Sequence, residues 1–252
     1  MRSSMTVNPE EPPIISFRDV GMSFGASPVF DGLDLDIRRG EFVSIIGPSG
    51  CGKSTVLRLG SGLTEPSSGS IDRSTDNVGY VFQDATLMPW RTVRRNVELL
   101  GKLDKMPDDE LTRRVDAALE TVGLAQYSHL LPRQLSGGMR MRASLARALV
   151  VEPDLFFFDE PFGALDEITR VRLNQELMSL FAERRFAGLF ITHSVDESIF
   201  LSTKVLVMAA RPGRVVASFD VPFAFPRPVD LKFTAEFAHL EQEVATALGE
   251  VS

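Results

Sequence analysis

The stretch Phe42-Val43-Ser44-Ile45-Ile46-Gly47-Pro48-Ser49-Gly50-Cys51-Gly52-Lys53-Ser54-Thr55 decides the fold. Its first five residues form a short apolar run closed by glycine, as expected of a strand buried on both faces of a parallel sheet. The next nine satisfy G-x-x-x-x-G-K-[ST], and Val56-Leu57-Arg58-Leu59 continues as a helix. Strand, glycine loop and helix in that order make a phosphate cradle. Gly47, Gly50 and Gly52 let the backbone turn tightly, so that the N–H groups of the loop, with Pro48, Ser49 and Cys51 as its other members, point at phosphate oxygens. Lys53 adds a point charge, the helix adds its positive end, and the Ser54 hydroxyl, followed by Thr55, can ligate Mg²⁺. Cys51 reads as a small filler inside the loop; a redox-sensing thiol there is disfavoured, because bound phosphates do not stabilise a thiolate.

Working outward, the chain offers further buried-strand candidates at Val78 to Phe82, Leu155 to Phe158, Leu189 to Thr192 and Val205 to Met208, separated by helical patterns. Strands alternating with helices imply an α/β sheet. Before the loop, Ile15, Phe17, Met22 and Phe24, and then the alternating Phe30 to Ile37, read as shorter strands. Between about 84 and 150 the pattern is helical and implies an inserted subdomain. Val93, Val97 and Leu100 share one face. Leu111, Val115, Leu119 and Val122 share another, after an acidic Asp108-Asp109-Glu110 start. A third helix begins near Ser136 and a long one follows Asp166. Residues 1–13 read as a mobile tail and 14–220 as the main domain. Residues 221–252 form an extension whose closing helix carries Phe233, Phe237, Leu240 and Val244 and covers an apolar face.

Composition bounds the classes. The 252 residues carry 34 Asp+Glu against 27 Lys+Arg, a net charge of −7, with 44% hydrophobic residues and one cysteine. The acidic balance argues against coating nucleic acid, the lone cysteine against disulfides or a cysteine zinc site, and no apolar run approaches the ~18 residues of a membrane helix. The reading is a soluble, intracellular polypeptide.

Leu155-Phe156-Phe157-Phe158-Asp159-Glu160 is an apolar strand ending in two carboxylates. Asp159 at the sheet's carboxyl edge can hold the Mg²⁺ hydration shell, and Glu160 can orient or deprotonate a water. His193 ends another such strand.

The string Leu135-Ser136-Gly137-Gly138, standing between the phosphate loop and the Asp159-Glu160 strand, resembles the signature of the ABC (ATP-binding cassette) ATPases. Ser136 can cap a helix whose N-terminus is a second anion site. The resemblance covers about residues 14–220 and implies a P-loop (RecA-like) core with an antiparallel β subdomain and an inserted helical one. It implies a head-to-tail dimer in which Leu135 to Gly138 meet the ATP held by the partner's phosphate loop. By the same resemblance, Phe24 stacks on adenine, Gln83 senses Mg²⁺ and the attacking water, and Glu160 is the general base. His193 contacts the γ-phosphate, and Asp166, in Gly163-Ala164-Leu165-Asp166, communicates between subunits while also reading as an N-cap. Met139 and Met141 stand where many members have glutamine, and Ser194 where aspartate is common; Met139 is expected to loosen the dimer contact.

The segment 84–93 is expected to couple the site to a membrane partner, with Trp90 either a core anchor or an interface anchor. Leu87-Met88-Pro89-Trp90-Arg91-Thr92-Val93, with 163–166 and Arg211-Pro212-Gly213-Arg214, is similar to the nitrate/sulfonate/taurine branch of bacterial importers. That likeness implies permease subunits and, indirectly, a periplasmic solute-binding protein as partners, on the cytoplasmic face of the inner membrane, with ATP and Mg²⁺ as cofactors. The competing readings are an exporter or lipid-transport cassette, a soluble ABC ATPase acting on DNA or ribosomes, and an unrelated P-loop kinase or GTPase.

Overall fold

Apolar residues of alternating parity have to bury both faces of a central sheet, and the computed structural model shows how. It describes residues 11–251 apart from Ala26, Ala164 and Arg211. The elements run β1 (Ile15–Phe24), β2 (Ser27–Ile37), β3 (Phe42–Ile46), α1 (Lys53–Gly60), β4 (Ser68–Arg73), β5 (Val78–Val81), α2 (Val93–Val97), α3 (Leu99–Leu103), α4 (Asp108–Thr121) and α5 (Gly137–Leu149). They continue as β6 (Leu155–Asp159), α6 (Glu167–Arg184), β7 (Ala187–Ile191), α7 (Val195–Leu201), β8 (Lys204–Ala209), β9 (Arg214–Asp220) and α8 (Ala235–Gly249).

Six strands form one sheet in the order β5-β6-β7-β3-β8-β9, parallel except for β9 at the edge, and β2-β1-β4 form a separate antiparallel sheet. Period-two alternation sorts the large sheet's side chains. Phe42, Ile46, Phe156, Phe158 and Phe190 join one core with α5, α6, α7 and α8, whereas Val43, Ile45, Leu155, Phe157 and Leu189 join a second core with α1 and the antiparallel sheet. The first core is aromatic at its centre: Phe42 lies 5.3 Å from Phe181 edge-on and 5.8 Å from Phe190. Helices therefore cover both faces, and the strands' carboxyl ends meet along one open edge, where ligands of doubly wound sheets bind. This is the P-loop core with an antiparallel subdomain that the resemblance implies.

Several expectations need correction. β4, Ser-Gly-Ser-Ile-Asp-Arg, was not among the expected strands; it is an edge strand, mostly exposed, and only its pairing to β1 makes it one. The face expected to join Val93, Val97 and Leu100 is split at Glu98 between α2 and α3, and Leu100 is only half-buried. Phe233 precedes the closing helix instead of belonging to it. Thr234 caps α8 by accepting from the Phe237 N–H, and the Phe233 ring is 83% exposed. Trp90 is 73% exposed and is no core anchor. The expected tail falls mostly on residues 1–10, and Ala164 and Arg211 belong to two of the quoted strings; all of these lie outside the described residues.

Candidate functional site

The loop between β3 and α1 opens at the centre of the carboxyl edge. Gly52 has φ 99°, and a Cβ there would lie 2.8 Å from Phe30 Cδ1 and Val29 Cγ1, so both conformation and space demand glycine. No side chain caps α1, which leaves its first N–H groups directed into the loop. Lys53 Nζ donates to Gly47 O at 2.8 Å and Pro48 O at 3.0 Å, which holds the ammonium at the loop's mouth. Cys51 is fully buried, its thiol packed in the second core, as a filler should be. Ser49 and Gly50 are exposed; Gly47, Pro48, Ser54 and Thr55 are half-buried.

Parallel pairing of β6 with β7, and of β7 with β3, brings the other strand ends alongside. Ser54 Oγ donates to Asp159 Oδ1 at 2.8 Å, while the Tyr80 hydroxyl lies 3.4 Å from Asp159 Oδ2. Burial pushes the Asp159 carboxyl above its ordinary range, against the lowering effect of the Ser54 hydrogen bond. Burial, and then the Asp159 charge, push the Tyr80 phenol well up, so it stays a donor. Tyr80 was missed in the sequence because nothing there shows that β5 lies next to β6. Hydroxyl and carboxylate oxygens suit a hard divalent cation that keeps its other positions for water and phosphate. Among the described residues no group of three or more His, Cys, Asp or Glu side chains gathers as a metal site, so such a cation would rely on phosphate oxygens as well.

Glu160 has φ 44°, uncommon for a residue with a side chain, and is held there by donating its N–H to Ile191 O at 3.0 Å. This turn sets Glu160 Oε2 3.5 Å from His193 Nδ1, with the imidazole largely exposed. The two residues thus stand together at the mouth of the site. Val81 is in register with Phe158, so Gln83 leaves the sheet at the same edge and is exposed. Phe24 ends β1 with its ring 60% exposed, a free face for stacking.

Two helix starts complete the arrangement. Ser136 caps α5 by accepting from the Met139 N–H at 3.2 Å, and Asp166 caps α6 by accepting from the Thr169 N–H at 3.0 Å. The backbone N–H of Thr169 holds the Asp166 carboxyl below its ordinary range. A Cβ on Gly138 would lie 2.6 Å from Thr169 Cγ2, so the second glycine of Leu135-Ser136-Gly137-Gly138 is what lets these helix starts meet. Leu135 is buried; Ser136 and Gly137 are exposed. Of the departures, Met139 packs partly against the main core and Met141 lies within it. Ser194 caps α7 by accepting from the Glu197 N–H at 3.2 Å, a task aspartate would also perform.

The segment after Gln83 is pinned by two residues that sequence reading missed. Arg147, on α5 and 8% exposed, donates to Ala85 O, Thr86 O and Thr86 Oγ1 at 2.9–3.2 Å. Asn96 is fully buried, accepts from the Met88 N–H at 2.7 Å and donates to the carbonyls of Met88, Arg91 and Thr92. It fastens the turn that presents Trp90. Asn96→Ala leaves the Met88 N–H and the Arg91 carbonyl without their partner, whereas Met88 O and Thr92 O keep backbone donors, and should cost about 2–3 kcal/mol in chemical denaturation. Because Trp90 is the only tryptophan, the same variant should show lower Trp fluorescence anisotropy under native conditions.

A family model described as ABC transporter matches residues 30–163. The chain is 41% identical over 239 residues to an ATP-binding protein of Brucella abortus (strain 2308), covering 92% of each chain. It is 43% identical over 206 residues to the aliphatic sulfonates import ATP-binding protein SsuB 1 of Pseudomonas syringae pv. syringae (strain B728a), covering 81% of this chain and 84% of that one. Its fold is similar to MJ0796, a bacterial ABC transporter cassette with a dimeric structure, with TM-score 0.75 and 29% identity over 83% of this chain and 99% of that one. A second structure of MJ0796 is a post-hydrolysis dimer bound to ADP and Pi, with TM-score 0.74 and 28% identity over the same shares of the two chains. Phosphate loop, paired carboxylates and signature helix are thus assembled on the fold of these ATPases, and the chain belongs to the ABC transporter family as an ATP-binding, ATP-hydrolysing subunit.

Proposed function

We propose that two copies of this chain close head to tail around two ATP molecules and drive a bacterial importer for a small anionic solute of the aliphatic sulfonate kind. The observation that carries the reading is the coexistence, on one chain, of a complete phosphate site and an outward-facing second anion site at Ser136, which has no phosphate loop of its own to serve. The loop 47–55 binds the phosphates, with Phe24 stacking on adenine. Ser54, Asp159 and Gln83 would hold Mg²⁺, which would neutralise charge on the phosphate oxygens. Glu160, whose carboxylate stands beside His193, accepts a proton from the attacking water. His193 donates toward the γ-phosphate, and Leu135 to Gly138 meet the nucleotide of the second copy while Asp166 reports across the interface.

No helix of the described residues is long and apolar enough to cross a membrane, so the work is done on partners. The exposed Trp90 turn, fixed behind by Asn96 and Arg147, is the surface for permease subunits, with the protein peripheral on the cytoplasmic face of the inner membrane. A periplasmic binding protein, and not this chain, selects the solute. SsuB relatives from two bacterial genera, Pseudomonas and Burkholderia, support the sulfonate class. The test is to express tagged Glu160→Gln protein in its native host, trap it with ATP and solubilise the membranes mildly. A multispanning permease should copurify in stoichiometric yield. Recovery solely from the soluble fraction, with ribosomes or nucleic acid, would overturn the importer reading.

A further inference from the structure

Glu197, on the first turn of α7, has no role in the site described above, yet its carboxylate is 4% exposed. Its Oε2 accepts from Thr192 Oγ1 at 2.6 Å, and that same Thr192 oxygen accepts from the Ser194 N–H at 3.0 Å. Both neighbours of His193 are therefore gripped: Thr192 directly, and Ser194 through Thr192 and through its cap on the Glu197 N–H. The other oxygen, Oε1, is buried without a hydrogen bond and faces Arg170 Nε at 3.6 Å. Arg170, one turn into α6, donates from Nη2 to Leu165 O at 3.0 Å and from Nη1 to Glu167 Oε2 at 3.1 Å. Leu165 immediately precedes Asp166.

A continuous chain of contacts thus joins the residue before His193 to the residue before Asp166, through one buried carboxylate and one guanidinium. A buried charge is costly unless paired and hydrogen-bonded. Here one oxygen is bonded tightly and the other sits beyond hydrogen-bond length from its cation. A shift of a few tenths of an ångström between α6 and α7 would complete that bond and carry Leu165 with it.

We infer that Glu197 and Arg170 are a positioning pair that couples the His193 loop to the Asp166 loop within one subunit, closing the 3.6 Å contact when His193 engages the γ-phosphate. The inference rests on the proposed roles of His193 and Asp166. The pair touches no reacting atom. Its effect falls on the rate at which the closed, hydrolysing arrangement forms, and nucleotide affinity is set elsewhere, by the phosphate loop.

The experiment measures steady-state ATP hydrolysis and fluorescent-ATP binding on the full chain for wild type, Glu197→Gln, Arg170→Met, the double variant and Arg170→Lys. Glu197→Gln keeps shape and the Thr192 hydrogen bond but removes the charge. Each of Glu197→Gln and Arg170→Met should lower kcat about tenfold with KM and nucleotide affinity within about twofold, and the double variant should fall no further than the worse single one. Arg170→Lys should recover most of the loss. Multiplied losses of about a hundredfold in the double variant, an unchanged kcat, or a loss confined to KM would each overturn the coupling. If Glu197→Gln yields no soluble protein, Arg170→Met against Arg170→Lys decides, since that side chain is partly exposed. Wild-type protein that fails to hydrolyse ATP would overturn the reading of the site itself, an outcome distinct from active protein without coupling.

Discussion

Lys53→Ala should weaken ATP binding by about a hundredfold or more. Removing one partner of a desolvated charge pair costs roughly 2–5 kcal/mol, and each 1.4 kcal/mol is tenfold in affinity. Lys53 is 8% exposed, and its ammonium is already held by Gly47 O and Pro48 O at the mouth of the loop, so the charge is positioned before any phosphate arrives. Little ordering entropy is then spent on binding, which is why a single side chain carries so much affinity. The measurement is titration calorimetry with ATP, with thermal unfolding alongside to show that the loop has not collapsed. Unaltered affinity would sink the assignment of 47–55 as the phosphate site.

Glu160→Gln should leave ATP affinity near wild type and slow hydrolysis by the ~10²–10⁴-fold characteristic of a lost general base. Glutamine preserves the shape at a position whose backbone is held at φ 44° by the bond to Ile191 O. The strain that aims the side chain therefore survives, and only proton acceptance is lost. The variant should also accumulate as an ATP-bound dimer, visible as a doubling of mass by size-exclusion chromatography with light scattering. Hydrolysis at the wild-type rate would remove Glu160 from the chemistry and shift attention to His193, 3.5 Å away.

Within this site, what could be read from the sequence differs residue by residue. Lys53 and Ser54 were legible because their function depends on neighbours in the chain: a strand, a glycine turn and a helix start within fourteen residues. Asp159 and Glu160 were legible for the same reason, as were Ser136 and Asp166, since an N-cap and the N–H that donates to it lie three residues apart. Tyr80, Arg147, Asn96 and Glu197 were not, although each is buried or half-buried and hydrogen-bonded. Arg227 is similar: it is 2% exposed, it donates to Phe223, Ile199 and Phe200 carbonyls, and it ties the C-terminal extension to the end of α7. Its partner Ile199 is 28 residues away, and Thr86 is 61 residues from Arg147. No periodicity or local motif carries information at that separation.

By itself, then, the sequence determined the α/β class, the phosphate loop, the two strand-end carboxylates and the signature helix, because each is a contiguous stretch whose backbone geometry follows from its own residues. The tertiary structure alone decided the strand order, the pairing of edge strand β4, the exposure of Trp90 and Phe233, and the contacts through which Arg147, Asn96, Glu197 and Arg227 work. Those depend on which buried polar group finds its partner when distant segments pack together, and burial without a partner is costly enough to select one packing.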